Sequence, residues 1–363
     1  MFDSKHDACF MAKAIKLAEK GRDTTTPNPC VGCVIVKDGE LIAGGYHAIA
    51  GQAHAEVIAL EQAGHRAQGS TLYVTLEPCN HFGRTGPCSH AIVQAKVARV
   101  VIAMEDPNPA VNGEGIQTLR DAGIQVDIGI GHADVSRLNR GFIRRMTTSR
   151  PFVFAKTAAS FDARSAMANG ESQWITGESA RKDVQKLRAL SCAIVTGVGT
   201  VIADDPSLNV RLPDTHRQPL RVILDSGLRT PVDAKILNAP GQVLICTTED
   251  NTGHELAGRE GVEVLHCAGR EGRIDVGAVL DELGRRGMNN VMIEAGPSLI
   301  GSMIAENLLD EVVVYMAPDL LGSDAKGMFN IDHLTSINDK IRAQFKDVKV
   351  VGRDLKITLD LRA

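Results

Sequence analysis

The sequence lacks a hydrophobic run long enough to cross a membrane. Its longest weakly polar stretch, 189–203, has about fifteen residues and is rich in Gly, Ser and Thr, whereas a spanning helix needs about 20 apolar residues. The first ten residues include Asp3, Lys5, His6 and Asp7 without an apolar core, so they do not predict a secretory signal. We therefore expect a cytoplasmic protein without a membrane partner.

The sequence also lacks a basic surplus and has few aromatic residues. It contains 40 Lys and Arg against 44 Asp and Glu, a net charge of −4, and 4% aromatic residues. Proteins that bind nucleic acid contact many phosphates with basic groups and stack bases on aromatic rings. We therefore expect no nucleic-acid partner, and expect any anionic ligand to be bound by a few local side chains.

Disulfides are not expected either. Eight cysteines in 363 residues, without an export signal, favour reduced thiols or metal ligands over a disulfide framework. The chain is 44% hydrophobic and 23% charged, as is usual for a globular protein. At roughly 100–200 residues per domain, this length predicts two domains.

Strands alternate with helices along the whole chain, which predicts the α/β fold class. Segment 139–151 is rich in Arg, Thr and Ser and ends at a proline, so we place the domain boundary there and predict domains 1–149 and 150–363. In the first domain the pattern predicts helices at 6–21, 54–64, 87–96 and 114–123 and strands at 31–36, 71–76, 99–104 and 124–128. In the second it predicts strands at 152–156, 192–196, 220–224, 242–246, 262–265, 291–294 and 311–315 and a terminal hairpin over 348–361.

The most specific motif lies in the first domain. A His-Ala-Glu triplet starts at His54, a Glu-Pro-Cys triplet ends at Cys79, and Cys88 follows. One imidazole and two thiolates form a tetrahedral zinc site with one open position, which is typical of catalytic sites. Zinc lowers the pKa of a water in that position to about 7, and Glu56 is placed to transfer protons. This arrangement predicts a zinc deaminase.

The cysteine spacing differs from that of nucleoside deaminases, whose two cysteines are usually separated by two residues. Here the insert 80–87 separates Cys79 from Cys88 and carries His81, Arg84 and Thr85. Its composition suits either a loop that donates hydrogen bonds to an anionic substrate group or a solvated loop.

Two neighbouring features are less specific. Cys30 and Cys33 are separated by two residues, but there is no second such pair and Cys33 falls on an apolar strand, so we interpret them as structural. Asn28 is either a hydrogen-bonding partner of the substrate ring or a turn residue.

The second domain offers one phosphate-binding candidate. Gly197 and Gly199 begin a pattern similar to a dinucleotide fingerprint, but Ile202 stands where Gly or Ala is needed. The turn from Glu294 to Ser302 is better, because a strand ends there in Gly-Pro and a helix begins, although Gly-Pro is also an ordinary helix start.

Together the motifs resemble the bifunctional riboflavin-biosynthesis deaminase/reductases over essentially the whole chain. The resemblance is carried by Pro27-Asn28-Pro29, Val31-Gly32-Cys33, His54-Ala55-Glu56, Thr75-Leu76-Glu77-Pro78-Cys79, Cys88 and Asp106-Pro107-Asn108-Pro109. It implies a cytidine-deaminase-like three-layer α/β/α domain followed by a dihydrofolate-reductase-like domain. It also implies zinc bound by His54, Cys79 and Cys88, with Glu56 as proton donor, in deamination of a diaminopyrimidine ribosyl phosphate.

For the second domain the resemblance implies NADPH-dependent reduction of the ribosyl group to ribityl. It assigns substrate contacts to Ser172, Arg188, Leu208, Arg211 and Glu294. It assigns NADPH contacts to Ala158, Trp174, Thr200, Asp204, Ser226, Gly296, Pro297, Ser298, Leu299, Ile300, Gly301 and Ser302. Ser226 and Arg229 are candidates for the cofactor 2′-phosphate, and we expect a homo-oligomer.

Two of these positions have simpler interpretations, and one other position departs from the family pattern. Trp174 could be a core residue and Arg188 a solvated residue on an amphipathic helix. Ala163 stands where the family commonly has Gly, so the loop must differ there if the position needs a positive φ.

Two other functions compete with the bifunctional enzyme. One is a nucleoside or RNA deaminase with a C-terminal binding module, which the low aromatic content and negative charge disfavour. The other is a non-catalytic zinc scaffold, which Glu56 beside an open coordination position disfavours.

Overall fold

The chain divides at residue 150 into two units, Met1–Arg150 and Pro151–Ala363, each with its own sheet. A computed structural model describes residues 4–362 except 81–85, 110, 112, 214, 250–253, 268 and 271. Among these residues, every helix is too short or too polar to span a lipid bilayer.

The first unit contains six helices and five strands in the described residues. In chain order they are α1 Ser4–Ala18, β1 Gly32–Lys37, β2 Glu40–Tyr46, α2 Ala55–Ala63, β3 Thr71–Val74, α3 Cys88–Gln94, β4 Arg99–Ile102, α4 Glu114–Asp121, β5 Gln125–Ile128, α5 His132–Leu138 and α6 Arg140–Thr148. All predicted elements are confirmed, with ends shifted by a few residues. Helices α5 and α6 were not predicted.

The five strands form one sheet in the order β2-β1-β3-β4-β5. Strand β1 is antiparallel to both neighbours, and β3, β4 and β5 are parallel. Because side chains alternate along a strand, Cys33 and Ile35 pack under α2, α3 and α4, whereas Val34 and Val36 pack against α1 and α5. The result is the expected three-layer α/β/α sandwich, buried on both faces.

The second unit is larger. In chain order its elements are β6 Phe152–Ser160, β7 Arg164–Ala166, α7 Glu178–Leu190, β8 Ala193–Gly197, α8 Val198–Asp204, β9 Leu220–Leu224, α9 Lys235–Asn238, β10 Val243–Thr247, β11 Val262–His266, β12 Gly269–Arg270, β13 Arg273–Ile274, α10 Val276–Arg285, β14 Asn290–Ile293, α11 Pro297–Ala305, β15 Glu311–Ala317, β16 Lys326–Gly327, β17 Gln344–Val351 and β18 Asp354–Asp360. The seven predicted strands and the terminal hairpin are confirmed.

Nine of these strands form the main sheet, in the order β11-β10-β9-β8-β14-β6-β15-β18-β17. From β11 to β15 all neighbours are parallel, and β18 and β17 are antiparallel additions. The chain runs outward from β8 to β11 and then returns to insert β14 between β8 and β6. Ligands bind beyond the carboxyl ends of parallel strands where the strand order reverses, which here is around β8, β14 and β6.

Candidate active sites

Two of the three predicted metal ligands lie at helix starts, and the third follows a strand of the first sheet. His54 is the N-cap of α2, Cys88 is the first residue of α3, and Cys79 lies after the end of β3. Their ligand atoms lie within 4.8 Å of one another, and in the described residues no other cluster of three or more His, Cys, Asp or Glu could hold a metal. Cys30 and Cys33 are buried and outside this cluster, as predicted.

The distances match a tetrahedral zinc centre. His54 Nδ1 lies 3.2 Å from Cys88 Sγ and 3.5 Å from Cys79 Sγ. Two ligands at the usual Zn–N and Zn–S bond lengths and a tetrahedral angle are separated by about 3.6 Å. The nitrogen and both sulfurs therefore fit zinc.

The two thiols share hydrogen bonds that favour one thiolate. A hydrogen bond from the Cys88 thiol, helped by the His54 ring and the Cys88 backbone N–H, lowers the pKa of Cys79 to about 4. The pKa of Cys88 is raised because its proton is held by Cys79 and because it is buried. A divalent cation would replace these shared protons and allow both sulfurs to ionise.

Glu56 is the second residue of α2 and lies beside the ligand cluster. Its side chain is buried, and it is not a member of the metal-binding group. Burial raises the pKa of Glu56 to about 7, despite the opposing effect of the His54 charge. A carboxyl group with a pKa near neutrality can both accept and release a proton at physiological pH.

Glu77 supports the segment that carries Cys79, a role that the sequence analysis missed. Its buried carboxylate accepts hydrogen bonds from four backbone N–H groups, those of Asp106, Gly113, Gly115 and Ile116, at 3.0–3.3 Å. Two of these N–H groups belong to the first turn of α4, whose positive end favours a carboxylate. The Glu-Pro-Cys triplet was the available signal.

Gly115 allows α4 to approach this segment closely. A Cβ atom at this position would lie 1.9 Å from the carbonyl oxygen of Pro78, so no other residue fits without a shift of the backbone.

The loop before β1 places Asn28 near the metal ligands. The ring of His47 lies edge-on to that of His54, with centroids 5.3 Å apart, and its Nδ1 donates to the carbonyl of Ala53. His47 Nε2 therefore accepts from Asn28 Nδ2, at 3.1 Å. Burial lowers the pKa of His47, which keeps the ring neutral and consistent with this pattern. In the insert, residues 81–85, including His81, Arg84 and Thr85, lie outside the described residues.

In the second unit, a buried ion network lies where the strand order reverses, around β8, β14 and β6. Glu294, directly after β14, accepts two hydrogen bonds of 2.9 Å from Arg188 of α7, and Lys156 of β6 lies 3.5 Å from the same carboxylate. The guanidinium of Arg188 also donates to the carbonyl of Asn209. The interpretation of Arg188 as a solvated residue is therefore wrong, because it is 8% exposed.

Lys156 is the second residue that the sequence analysis missed. It lies within a strand of otherwise apolar and small residues, and an isolated lysine in a buried strand was the available signal. Charge from Arg188 and Lys156 overcomes the effect of burial and lowers the pKa of Glu294 to about 2.

The structure brings together three predicted substrate contacts on α7 and the loop after α8. Arg188 binds the loop at Asn209, and Gln185 accepts a hydrogen bond from the backbone N–H of Arg211. Leu208 is buried in the core under the loop, whereas Arg211 is exposed. Ser172, on the loop before α7, is half-buried.

Most of the predicted cofactor contacts follow β8, β9 or β14 in the chain, whereas Ala158 lies within β6 and Trp174 lies before α7. A Cβ atom added at Gly296 would lie 3.9 Å from Thr200 Oγ1, so the turn before α11 adjoins the start of α8. Ser298 and Ser302 are exposed, whereas Ile300 and Gly301 face the core, where Gly301 packs against the backbone of Asn330. Pro297 and Leu299 lie in the first turn of α11, and Asp204 is the last residue of α8.

Ser226 and Arg229 lie on the turn after β9, and hydrogen bonds from Thr230, Thr247 and Thr248 hold this turn in place. The buried carboxylate of Asp225 accepts two hydrogen bonds of 2.7 Å from Thr230, one from its backbone N–H and one from its hydroxyl. The carbonyl of Ser226 accepts hydrogen bonds from Thr247 and Thr248 of the β10 end. Ala158, on β6, is half-buried opposite Tyr315.

Trp174 and Ala163 differ from their simpler interpretations. Trp174 is 70% exposed and stacks on the Arg181 guanidinium at 4.7 Å, so it is not a core residue. Ala163 adopts φ 59°, the left-handed region that Gly adopts more easily. The position does need a positive φ, and alanine itself adopts it.

Both units match known protein families. Residues 4–104 match the family "Cytidine and deoxycytidylate deaminase zinc-binding region", and residues 151–357 match "RibD C-terminal domain". The chain is 45% identical to the riboflavin biosynthesis protein RibD of Escherichia coli over 97% of this chain and 99% of that protein. The chain belongs to the RibD family.

Solved structures agree. Acinetobacter baumannii RibD superposes with a TM-score of 0.91 at 46% identity, covering 99% of this chain and all of that one. A Thermotoga maritima diaminohydroxyphosphoribosylaminopyrimidine deaminase/5-amino-6-(5-phosphoribosylamino)uracil reductase superposes with a TM-score of 0.90 at 32% identity, with coverage of 99% and 100%.

These comparisons confirm the expected fold and function. As a RibD family member, the chain is a bifunctional deaminase and reductase of riboflavin biosynthesis, with a zinc-binding deaminase domain and an NADPH-dependent reductase domain. The two competing functions are not supported.

Proposed function

We propose that His54, Cys79 and Cys88 hold the zinc ion and that Glu56 is the proton carrier of the deaminase. This assignment is supported by the three ligand atoms, which lie within 4.8 Å of one another beside the buried carboxyl group of Glu56. The substrate is 2,5-diamino-6-ribosylamino-4(3H)-pyrimidinone 5′-phosphate, as the names of the relatives suggest. When bound, zinc activates a water for attack on the ring carbon that carries the amino group.

The side chains of this chain supply the other requirements of deamination. Glu56 takes a proton from water and delivers protons to the ring and the leaving amine, which its pKa near 7 allows at neutral pH. Asn28 contacts the pyrimidine ring from the loop before β1. The neutral His47 fixes the orientation of the Asn28 amide through the hydrogen bond described above.

A Glu56→Gln variant tests this assignment. Because glutamine keeps the shape but cannot carry the proton, we expect one zinc per chain, loss of ammonia release, and normal reduction of substrate that is already deaminated. Glu61→Gln, on the exposed face of the same helix, is the matched control. Deamination at the normal rate by Glu56→Gln, or loss of both activities without unfolding, would refute the assignment.

For the reductase we propose that Arg188, Leu208, Arg211, Ser172 and Glu294 contact the aminouracil ribosyl phosphate. The grouping of Arg188 and the 208–211 loop beside Glu294 supports this site. Arg211 is the exposed guanidinium and binds the phosphate. Glu294 and Lys156 face the ribosyl carbon that accepts hydride.

The proposed NADPH site is the edge formed by the ends of β8, β9 and β14. Backbone N–H groups at the start of α11 bind the pyrophosphate, and Ser226 and Arg229 bind the 2′-phosphate. The other proposed NADPH contacts are Ala158, Trp174, Thr200 and Asp204. Comparing KM for NADPH and NADH in wild type and Arg229→Ala tests this, because loss of the 2′-phosphate contact should raise only the NADPH value.

We also propose a homo-oligomer formed through the terminal hairpin. Strand β17 is the edge of the nine-stranded sheet, so one row of its backbone groups has no partner strand in the sheet order. It exposes Phe345, Val348 and Val350 by 53–74%, and Ile337 nearby by 77%. A cluster of exposed apolar side chains at a sheet edge suits pairing with a second copy.

Light scattering after size-exclusion chromatography tests the interface. We expect the wild type at twice the mass of one chain or more, and Val350→Lys at one chain. Ile202→Lys, at an exposed apolar residue of α8, is the control that should leave the mass unchanged. A monomeric wild type, or an unchanged mass for Val350→Lys, would refute this interface.

Cytoplasmic localisation also stays a proposal. A zinc site with two thiolates requires reduced cysteines, which a reducing compartment maintains. Cell fractionation tests it.

A further inference from the structure

The loop that carries Asn28 is held from a distant part of the chain. Cys30, two residues after Asn28, is buried, and its backbone lies before the first residue of β1. Buried backbone N–H and C=O groups need hydrogen-bond partners, and outside a strand they must find them elsewhere.

Asn139 supplies both partners. Its Oδ1 accepts from the backbone N–H of Cys30 at 2.7 Å, and its Nδ2 donates to the carbonyl of Cys30 at 3.0 Å. The Asn139 side chain is itself buried, and 109 residues separate it from Cys30 in sequence. A primary amide that bonds both groups of one residue holds that residue as a neighbouring strand would.

A second contact from the same region reaches the same loop. Arg145 of α6 donates to the carbonyl of Pro27 at 2.7 Å. Asn28 therefore lies between two residues that the segment 139–145 holds. Asn28 is hydrogen-bonded to the His47 ring, and the His47 ring contacts the ring of His54, the proposed zinc ligand.

We propose that Asn139 is a positioning residue for the deaminase, which sets the place of Asn28 against the pyrimidine ring. This inference rests on the proposed function, in which Asn28 contacts substrate. Asn139 lies outside the reacting groups and acts through the loop. Its place between α5 and α6 gives these helices, which the sequence analysis missed, a part in the deaminase site.

The test is the kinetics of ammonia release in the full-length, zinc-loaded enzyme without NADPH. Asn139→Ala removes both hydrogen bonds to Cys30 and keeps the one from Arg145 to Pro27. We expect KM for the pyrimidine to rise by about tenfold or more, since a displacement of about 1 Å can cost about 10²-fold. Zinc per chain and the reductase rate should be unchanged. Asn139→Asp, which keeps an acceptor for the Cys30 N–H but loses the donor, should lie between wild type and Asn139→Ala.

A double-variant cycle separates positioning from general structural support. If Asn139 acts through Asn28, adding Asn139→Ala to Asn28→Ala should raise KM by less than twofold further, because the contact is already lost. Thr147→Ala, an exposed α6 residue whose hydroxyl bonds within its own helix, is the control.

Three outcomes would overturn the inference. They are an unchanged KM in Asn139→Ala, fully multiplicative effects in the double variant, and a loss of activity that follows loss of zinc. A wild-type chain that releases no ammonia would instead refute the proposed function.

Discussion

Replacing Glu294 by glutamine removes the carboxylate that Arg188 and Lys156 share. All three side chains are less than a fifth exposed, so solvent screens their interaction weakly. In Glu294→Gln, Arg188 of α7 and Lys156 of β6 keep their charges but lose this shared carboxylate. Leaving a buried charge unpaired is among the most destabilising single changes in proteins.

The pKa of Glu294 sets the size of this effect. It falls from 4.5 to about 2 in the folded protein. At about 1.4 kcal/mol per pKa unit, the ionised carboxylate stabilises the folded unit by about 3 kcal/mol at pH 7. Because the folded pKa is the lower one, this stabilisation is present above pH 4.5 and is lost as the pH falls toward 2. The difference between wild type and Glu294→Gln should shrink to less than half by pH 3.

Urea unfolding followed by fluorescence measures this difference. Trp174 is the only tryptophan and lies in the second unit, so its emission reports on that unit. The control is Glu178→Gln, which breaks the exposed Lys182–Glu178 pair and should leave the free energy of unfolding nearly unchanged. A cost for Glu294→Gln as small as that of the control, or one that stays constant between pH 7 and pH 3, would refute the reasoning.

Three further changes test other parts of the structure. Ala163→Gly should stabilise the second unit by about 0.5–1 kcal/mol, because removing about 1–2 kcal/mol of backbone strain at positive φ outweighs the added entropy of the unfolded chain. A rise in the thermal unfolding temperature would show this stabilisation, whereas the control Ala159→Gly in β6 should lower it. Glu77→Ala leaves four backbone N–H groups without their acceptor and should weaken zinc binding by about 10–100-fold in a chelator competition; unchanged affinity would contradict its supporting role. Arg211→Ala should raise KM for the aminouracil phosphate in the reductase while deamination and KM for NADPH stay normal, and an equal change in all three would argue against a phosphate contact.

The zinc site was predictable because each ligand has a local sequence signal. His54 and Cys88 lie where the pattern predicts helix starts, and the Glu-Pro-Cys triplet follows a predicted strand. The strands were predictable for the same reason, since alternation and apolar runs depend on neighbouring residues.

Other roles depended on contacts between distant residues. Arg188 fitted both a solvated helix face and a substrate contact. Only the insertion of β14 beside β8 and β6 showed that it pairs with Glu294, 106 residues later in the chain. Segment 139–151 showed only a basic composition, yet it contains the amide that holds Cys30. For Trp174, the sequence left a cofactor contact and a core position open, and the structure places the side chain in solvent against Arg181.

The sequence by itself determined the two α/β halves, the zinc motif, Glu56 and the resemblance to the RibD family, because these features are written in spacings of a few residues. The tertiary structure alone decided the partners of Glu294, Glu77 and Cys30. Those partners depend on the order in which strands enter a sheet and on which helix ends meet a loop. Neither of these is encoded in local periodicity, because both follow from packing of the whole chain.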